Sequence, residues 1–193
     1  SLIKKHGVSI EYRKFIKIER LTAREFLDQK IYLKDYTSII FTSKVAVDHF
    51  FSMSKDIRFN PPTTLKYFCM SESIALYLQK YIQYRKRKIF HCNNDYEELK
   101  EIMSKHEGER YVYPCSDESN DCLPNFLIEN NFDVTKAIFF KSVNVNMKGM
   151  DIEKYDMIVI FSPGCVKSLK ENFPNYKQGD NVFAGFGDTT AQA

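Results

Sequence analysis

Apolar and polar positions along this chain follow two rhythms that take turns. "RKFIKIERL" (residues 13–21) alternates residue by residue and reads as a strand. "TAREFLDQKI" follows with helical spacing, and Thr22 with Glu25 three positions on forms a capping-box pattern. "TSIIF" (37–41) is a continuous apolar run of the kind buried on both faces of a parallel sheet. "KVAVDHFFSMS" then reads as a helix and "NPPTT" (60–64) as a loop. The exchange continues with "LKYFCM" (strand), "SESIALYLQKYI" (helix, Ser71 as cap), "RKIFHC" (strand) and "DYEELKEIMSKH" (helix opening on acids). "RYVYPC", "TKAIFFKSVNV", "YDMIVIF" and "NVFAGF" read as strands, "CLPNFLIENN" and "CVKSLKENF" as helices, and "TTAQA" opens a last helix. Such alternation predicts an α/β protein with parallel sheets and flanking helices. No low-complexity segment or flexible linker interrupts it.

One unit occurs twice. "YTSIIFTSKVAVDHF" (36–50) and "YDMIVIFSPGCVKSL" (155–169) both run Tyr, apolar strand, Phe, hydroxyl residue, turn, amphipathic helix. The strands after them, "YFCMSESIA" (67–75) and "VFAGFGDTTA" (182–191), both end in small polar residues followed by Ala. Two lobes of similar topology explain this, each presenting two strand-end loops at one edge. Ligands of open α/β sheets bind outside the carboxyl ends of the strands. Two such edges facing each other make a cleft that holds one large ligand from both sides.

Composition narrows the partners. The 193 residues allow one domain or two small ones, and an apolar fraction of 44% supports a packed core. A net charge of +3 gives nucleic-acid binding little support, and "YRKRK" (84–88) reads as a solvated loop. No apolar run approaches membrane-spanning length; "MIVIF" is typical. Neither a membrane nor a nucleic acid is therefore expected as partner. The five cysteines are odd in number and contain no Cys-x-x-Cys, which points to a reduced, cytoplasmic protein. His6, His49, His91 and His106 lack metal-ligand spacing, so no metal site is expected. "GFGDTT" lacks the full glycine spacing of a dinucleotide loop. Tyr12, Tyr36, Tyr67, Tyr81, Tyr111 and Phe140 are expected in the core. The chain starts and stops abruptly, "GFGDTTAQA" being a helix barely begun, so residues are expected to be missing at both ends; the lack of a signal-peptide pattern weighs little for the same reason.

Taken in order and spacing, "IIFTSKVAVDHF", "YFCMSESIALYL", "YVYPCSD", "AIFFKSV", "YDMIVIFSPGCVKSL" and "FAGFGDTTAQA" resemble the uroporphyrinogen-III synthase family over residues 14–193. The resemblance implies two α/β lobes joined by a pair of crossing strands, "KFIKIERL" and "FFKSVNVN". One lobe is discontinuous, 1–22 plus 144–193, and the other spans 23–143. It implies conversion of hydroxymethylbilane, a linear tetrapyrrole with eight carboxylates, to cyclic uroporphyrinogen III. Water leaves, the ring closes and the last pyrrole is inverted, with no metal or cofactor. A monomer is expected.

Carboxylates suit helix N-termini, loop N–H groups and hydroxyl donors. Matched to the family, the substrate-binding candidates are Thr42, Ser43, Lys44, Ser71, Ser73, Ser116, Ser162, Thr189 and Thr190, with Lys167 as a further charge. Ser43, Ser71 and Ser162 also sit where helices start, and as plain N-caps they need no function. Two departures stand out. Where many family members carry Tyr in the returning strand, this chain has Phe140, which has no proton to give. The middle-lobe "G-x-x-TA" is here "SESIA", with Ile74 in place of Thr. The catalytic residue is thus unassigned. The alternative is a non-catalytic two-lobed binding module for an anionic small molecule or a regulatory partner.

Overall fold

The protein is described here by a computed structural model covering residues 2–193. In chain order the elements are α1 (Leu2–His6), β1 (Ile16–Arg20), α2 (Ala23–Leu27), β2 (Ser38–Phe41), α3 (Lys44–Asp56), β3 (Lys66–Cys69), α4 (Glu72–Tyr77), β4 (Ile89–His91), α5 (Tyr96–Met103), β5 (Arg110–Ser116), α6 (Cys122–Glu129), β6 (Asp133–Asn144), β7 (Met157–Ile160), α7 (Pro163–Asn172), β8 (Val182–Gly185) and α8 (Asp188–Ala191). The alternation read from the sequence is present throughout. Short 3-10 turns at Leu33–Asp35 and Leu78–Lys80, and the helix α1, were not expected. The helix anticipated from Ser71 onward is split, α4 ending at Tyr77 and the chain tightening into the second of those turns.

The chain divides into two compact units, one of Glu19–Lys141 and the other made of the N-terminal residues to Ile18 together with Ser142–Ala193. The changes of unit fall inside β1 and β6.

In the larger unit the strand order is β6-β5-β2-β3-β4, with β1 beyond β6 in the same sheet. Every pairing from β6 to β4 is parallel, with Ile39 opposite Tyr67 and Val112, and Phe68 opposite Phe90. The chain builds outward from β2 to β4, then returns to place β5 on the other side of β2. That reversal is a topological switch point, and its crevice lies at the carboxyl ends of β2 and β5. β2 is buried at all four positions, as its unbroken apolar run requires. Pro114 lies inside β5, where a missing N–H is costly. The β2–β5 register runs only to Val112, so Pro114 sits past the bonds that β2 needs.

The core on the α3 side is aromatic. Phe26 and Phe50 pack on Phe139 with ring centroids 4.6 and 5.8 Å apart. α3 buries Ala46, Val47, Phe50, Phe51, Met53 and Ser54, the 3.6-residue spacing of one helix face. α2 starts on the anticipated capping box: Thr22 Oγ1 accepts the Glu25 N–H, and Glu25 accepts the Thr22 N–H. Of the aromatics expected in the core, Tyr36, Tyr67, Tyr111 and Phe140 are buried and Tyr81 is half-buried; Tyr12 is 84% exposed. Tyr12 lies in a segment without regular structure, so no sheet or helix face carries it inward.

In the smaller unit β7 and β8 pair in parallel, Met157 opposite Val182 and Ile160 opposite Gly185. Its core is Ile152, Ile160 and Leu169, with Phe15, Phe173, Tyr176 and Phe183 against them. α7 is fastened by polar side chains. Ser168, fully buried, donates to the Phe15 carbonyl at 2.6 Å. The Asn172 amide donates to the Val145 carbonyl at 3.0 Å and accepts the Met147 N–H at 2.7 Å. Asn172 therefore ties the chain entering this unit to its main helix.

Candidate functional site

In the larger unit three neighbouring strands, β5, β2 and β3, end side by side, and each end carries hydroxyls. After β2 come Thr42 and Ser43; after β3 come Ser71 and, one residue into α4, Ser73; β5 ends on Ser116. The parallel pairing puts all of them at one edge of the sheet, at the switch point. Backbone bonds tie the edge together: Met70 N–H donates to the Phe41 carbonyl and Asp117 N–H to the Phe140 carbonyl.

The smaller unit repeats the device. Ser162 follows β7 and caps α7; Thr189 and Thr190 follow β8 inside α8. Gly187 caps α8 with φ +89°, the left-handed region that glycine enters freely. Thr189 is exposed, whereas Thr190 is 5% exposed and turned into its own unit.

Ser43, Ser71 and Ser162 adopt one backbone shape, with φ −153°, −151° and −157° and ψ 156°, 157° and 155°. Their hydroxyls are used differently. Ser43 Oγ accepts the Ala46 N–H at 3.0 Å, and Ser162 Oγ accepts the Cys165 N–H at 3.4 Å. Both are N-caps. Ser71 makes no capping bond; its Oγ instead lies 3.1 Å from Ser73 Oγ. The hydroxyl pair Ser71–Ser73 is thus not spent on the helix. The first turn of each helix also offers backbone N–H groups that have no intrahelical acceptor. At α3 these include Lys44 and Val45, ahead of the capped Ala46. At α7 the first position is Pro163, which has none.

Cationic groups are sparse. Lys44 is exposed, with its ammonium 5.6 Å from the Tyr77 ring centre, and Lys167 is exposed on α7. Phe140 is 7% exposed and opposite Ser116 in the β5–β6 register. The His49 ring from α3 stacks over it, centroids 4.7 Å apart. Burial, helped by Arg20, pushes the His49 pKa down, against the pull of Asp48 upward. The sequence does not mark His49, because one histidine inside an amphipathic helix carries no spacing signal; only the fold lays it on Phe140.

All five cysteines are free thiols, and Cys69 and Cys115 are buried, where loss of hydration pushes their pKa up, that of Cys115 to about 11. Among the described residues no three His, Cys, Asp or Glu side chains are grouped as metal ligands, and no helix is long and apolar enough to cross a membrane.

A parallel α/β sheet with serine and threonine hydroxyls and helix N-termini gathered at its switch-point rim defines an open-sheet α/β protein whose ligand crevice, by the general rule, is at that rim. Its lineage is specific. The family model described as "Uroporphyrinogen-III synthase HemD" matches residues 1–193, and the chain belongs to that family. Among solved structures, uroporphyrinogen-III synthetase from Helicobacter pylori 26695 is 17% identical with a TM-score of 0.58; the match covers 97% of this chain and 84% of that one. A mutant uroporphyrinogen III synthase from the extremely thermophilic bacterium Thermus thermophilus is 16% identical with a TM-score of 0.58, covering 99% of this chain and 81% of that one. At such identity these two likenesses establish the fold. No curated protein matches the chain.

Proposed function

We propose that this protein cyclises hydroxymethylbilane to uroporphyrinogen III, releasing water and inverting the last pyrrole ring. The family match over the whole chain carries this reading. The serine-lined rims support it chemically, since the substrate is a flexible chain of pyrroles bearing carboxylates throughout.

Ser71 and Ser73 donate to the substrate's carboxylates, as do the backbone N–H groups opening α3 and α4; Thr42, Ser116 and Thr189 extend the rim. Lys44 and Lys167 add charge. Ser43 and Ser162 hold their helix starts in place, so that the neighbouring N–H groups point outward. Thr190 supports Thr189 from inside the smaller unit. The reaction asks the protein to fold the linear tetrapyrrole so that its hydroxymethyl carbon meets the substituted carbon of the far ring. Pinning carboxylates at several strand ends supplies that orientation, the largest lever available to a ring closure. Phe140 contributes shape; it cannot protonate the departing hydroxyl. The protein works as a cytoplasmic monomer.

The test is product analysis. Hydroxymethylbilane supplied by a deaminase from porphobilinogen closes to the type I isomer when left alone. Addition of the protein should give type III. Type I as sole product at every protein concentration would refute the assignment.

A further inference from the structure

On the larger unit, away from the serine rim, a cavity of about 430 Å³ lies along the edge strand β4 and the end of α5. Its volume falls within the lower part of the range of small-molecule sites, roughly 300–1,000 Å³. Ile89, Phe90 and Ile102 make an apolar floor, and Tyr84 adds an aromatic wall. Lys86, Lys105, His91 and His106 supply its polar groups, the His106 Nδ1 lying 3.3 Å from the Lys66 ammonium. No carboxylate lines it.

Three observations suggest a ligand. First, the charge is unspent: neither the Lys86 nor the Lys105 ammonium has an ion-pair or hydrogen-bond partner among the described residues, although Glu109 nearby is engaged by Lys66 at 2.5 Å. Lys105 and His106 follow the C-terminus of α5, where cations suit the helix dipole. Lys86 comes from a different loop and has no such role. Second, His91 Nδ1 is buried without any partner, the one such side-chain atom among the described residues. A buried polar atom left alone is uncommon and needs an explanation, of which an ordered water or a bound group beside it is one. Third, the ring system is already assembled: His106 packs on Phe90 with centroids 4.4 Å apart, and Phe90 stacks on Phe68 at 5.0 Å. Burial, then Lys66, push the His106 pKa down; Glu109 opposes this and Lys105 adds to it.

We propose that this cavity is a second binding site, for a small single-ring or fused-ring anion whose flat face lies on Phe90 and Tyr84 and whose acid arm reaches Lys86 and Lys105. The shared chemistry is a flat ring with a short anionic arm. Two sources carry it: a monopyrrole with carboxylate arms, and a purine nucleotide. The site goes beyond the cyclisation reading and stands or falls separately from it.

The experiment titrates porphobilinogen, adenosine monophosphate and inorganic phosphate, each by itself, into the full chain. Calorimetry reads affinity, and the ring C–H signals of His91 and His106 read location. One of the ring-bearing probes should bind with one-to-one stoichiometry and shift both histidines, while phosphate should not. Lys86 and Lys105 are exposed, so Lys86→Glu with Lys105→Glu should keep the thermal midpoint and weaken binding about tenfold or more. Porphobilinogen alone binding identifies the carboxylate source, and the nucleotide alone the phosphate source. No binding by either ring-bearing probe, or binding unchanged by the double variant, overturns the proposal. Neither result touches the isomer assay.

Discussion

Removal of one hydroxyl from Ser43 and from Ser71 should have opposite consequences, although the two serines share a backbone shape. Ser43 Oγ holds the Ala46 N–H, so Ser43→Ala leaves a first-turn donor of α3 without its cap. Loss of a Ser cap costs about 1 kcal/mol. In a chain of this length that lowers the thermal midpoint by roughly 2–4 °C. Ser71 holds no helix N–H, so Ser71→Ala removes only a contact with Ser73 and should leave the midpoint within about 1 °C. If Ser71 instead binds a substrate carboxylate, its loss removes a hydrogen bond to a charged group, worth about 1.5–3 kcal/mol. The specificity constant kcat/KM should then fall roughly tenfold to hundredfold. Differential scanning fluorimetry and initial rates of type III formation, run on both variants, measure the pair. A midpoint for Ser71→Ala as low as that of Ser43→Ala, or an unchanged kcat/KM for Ser71→Ala, would refute the division of labour.

Other consequences follow from packing and charge. Phe139→Ala empties a site fully buried between Phe26 and Phe50 and should cost about 3–5 kcal/mol by urea unfolding; a loss below about 1 kcal/mol would contradict that core. Asn172→Ala strands the Met147 N–H and the Val145 carbonyl and should destabilise the smaller unit by roughly 1–3 kcal/mol, read as earlier hydrogen exchange in 145–172. Glu109 is lifted by burial but brought below its ordinary pKa by Lys66, Thr37 and Ser38. A depressed carboxylate stabilises the fold above its unfolded pKa, near 4.5, and that support is lost as pH falls through the folded value. Stability of Glu109→Gln should therefore be lower than wild type at pH 7, with the gap narrowing under acid; a gap that widens under acid would reverse the sign. Phe140→Ala removes the ring under His49 and should reduce stability by about 3 kcal/mol, yet the product should remain type III, because no proton is lost with the ring.

The strand–helix alternation was legible because parallel strands buried on both faces leave unbroken apolar runs, as "IIF" and "YFC" show. The Thr22–Glu25 capping box was legible because a local motif needs only four consecutive residues. The use of each rim serine was not. Ser43 and Ser71 follow similar strands, and the choice between capping and facing outward rests on a small difference in hydroxyl placement. Thr189 and Thr190 look equivalent in "GDTTA", but the short α8 turns one in and one out. Tyr12 reads as core since aromatics usually are; its exposure depends on what its segment packs against. The His91, His106 and Lys86 cavity is not legible in the sequence because its walls come from β4, the end of α5 and the loop 81–88, which only the fold brings together.

The isomer composition formed from hydroxymethylbilane tests the central claim most directly. With the full chain present, chromatography of the oxidised products should show type III in excess, rising with protein concentration, and Ser71→Ala should restore type I in proportion to its lost rate. A product that stays type I at every concentration, with the protein folded by its thermal transition, would contradict the account.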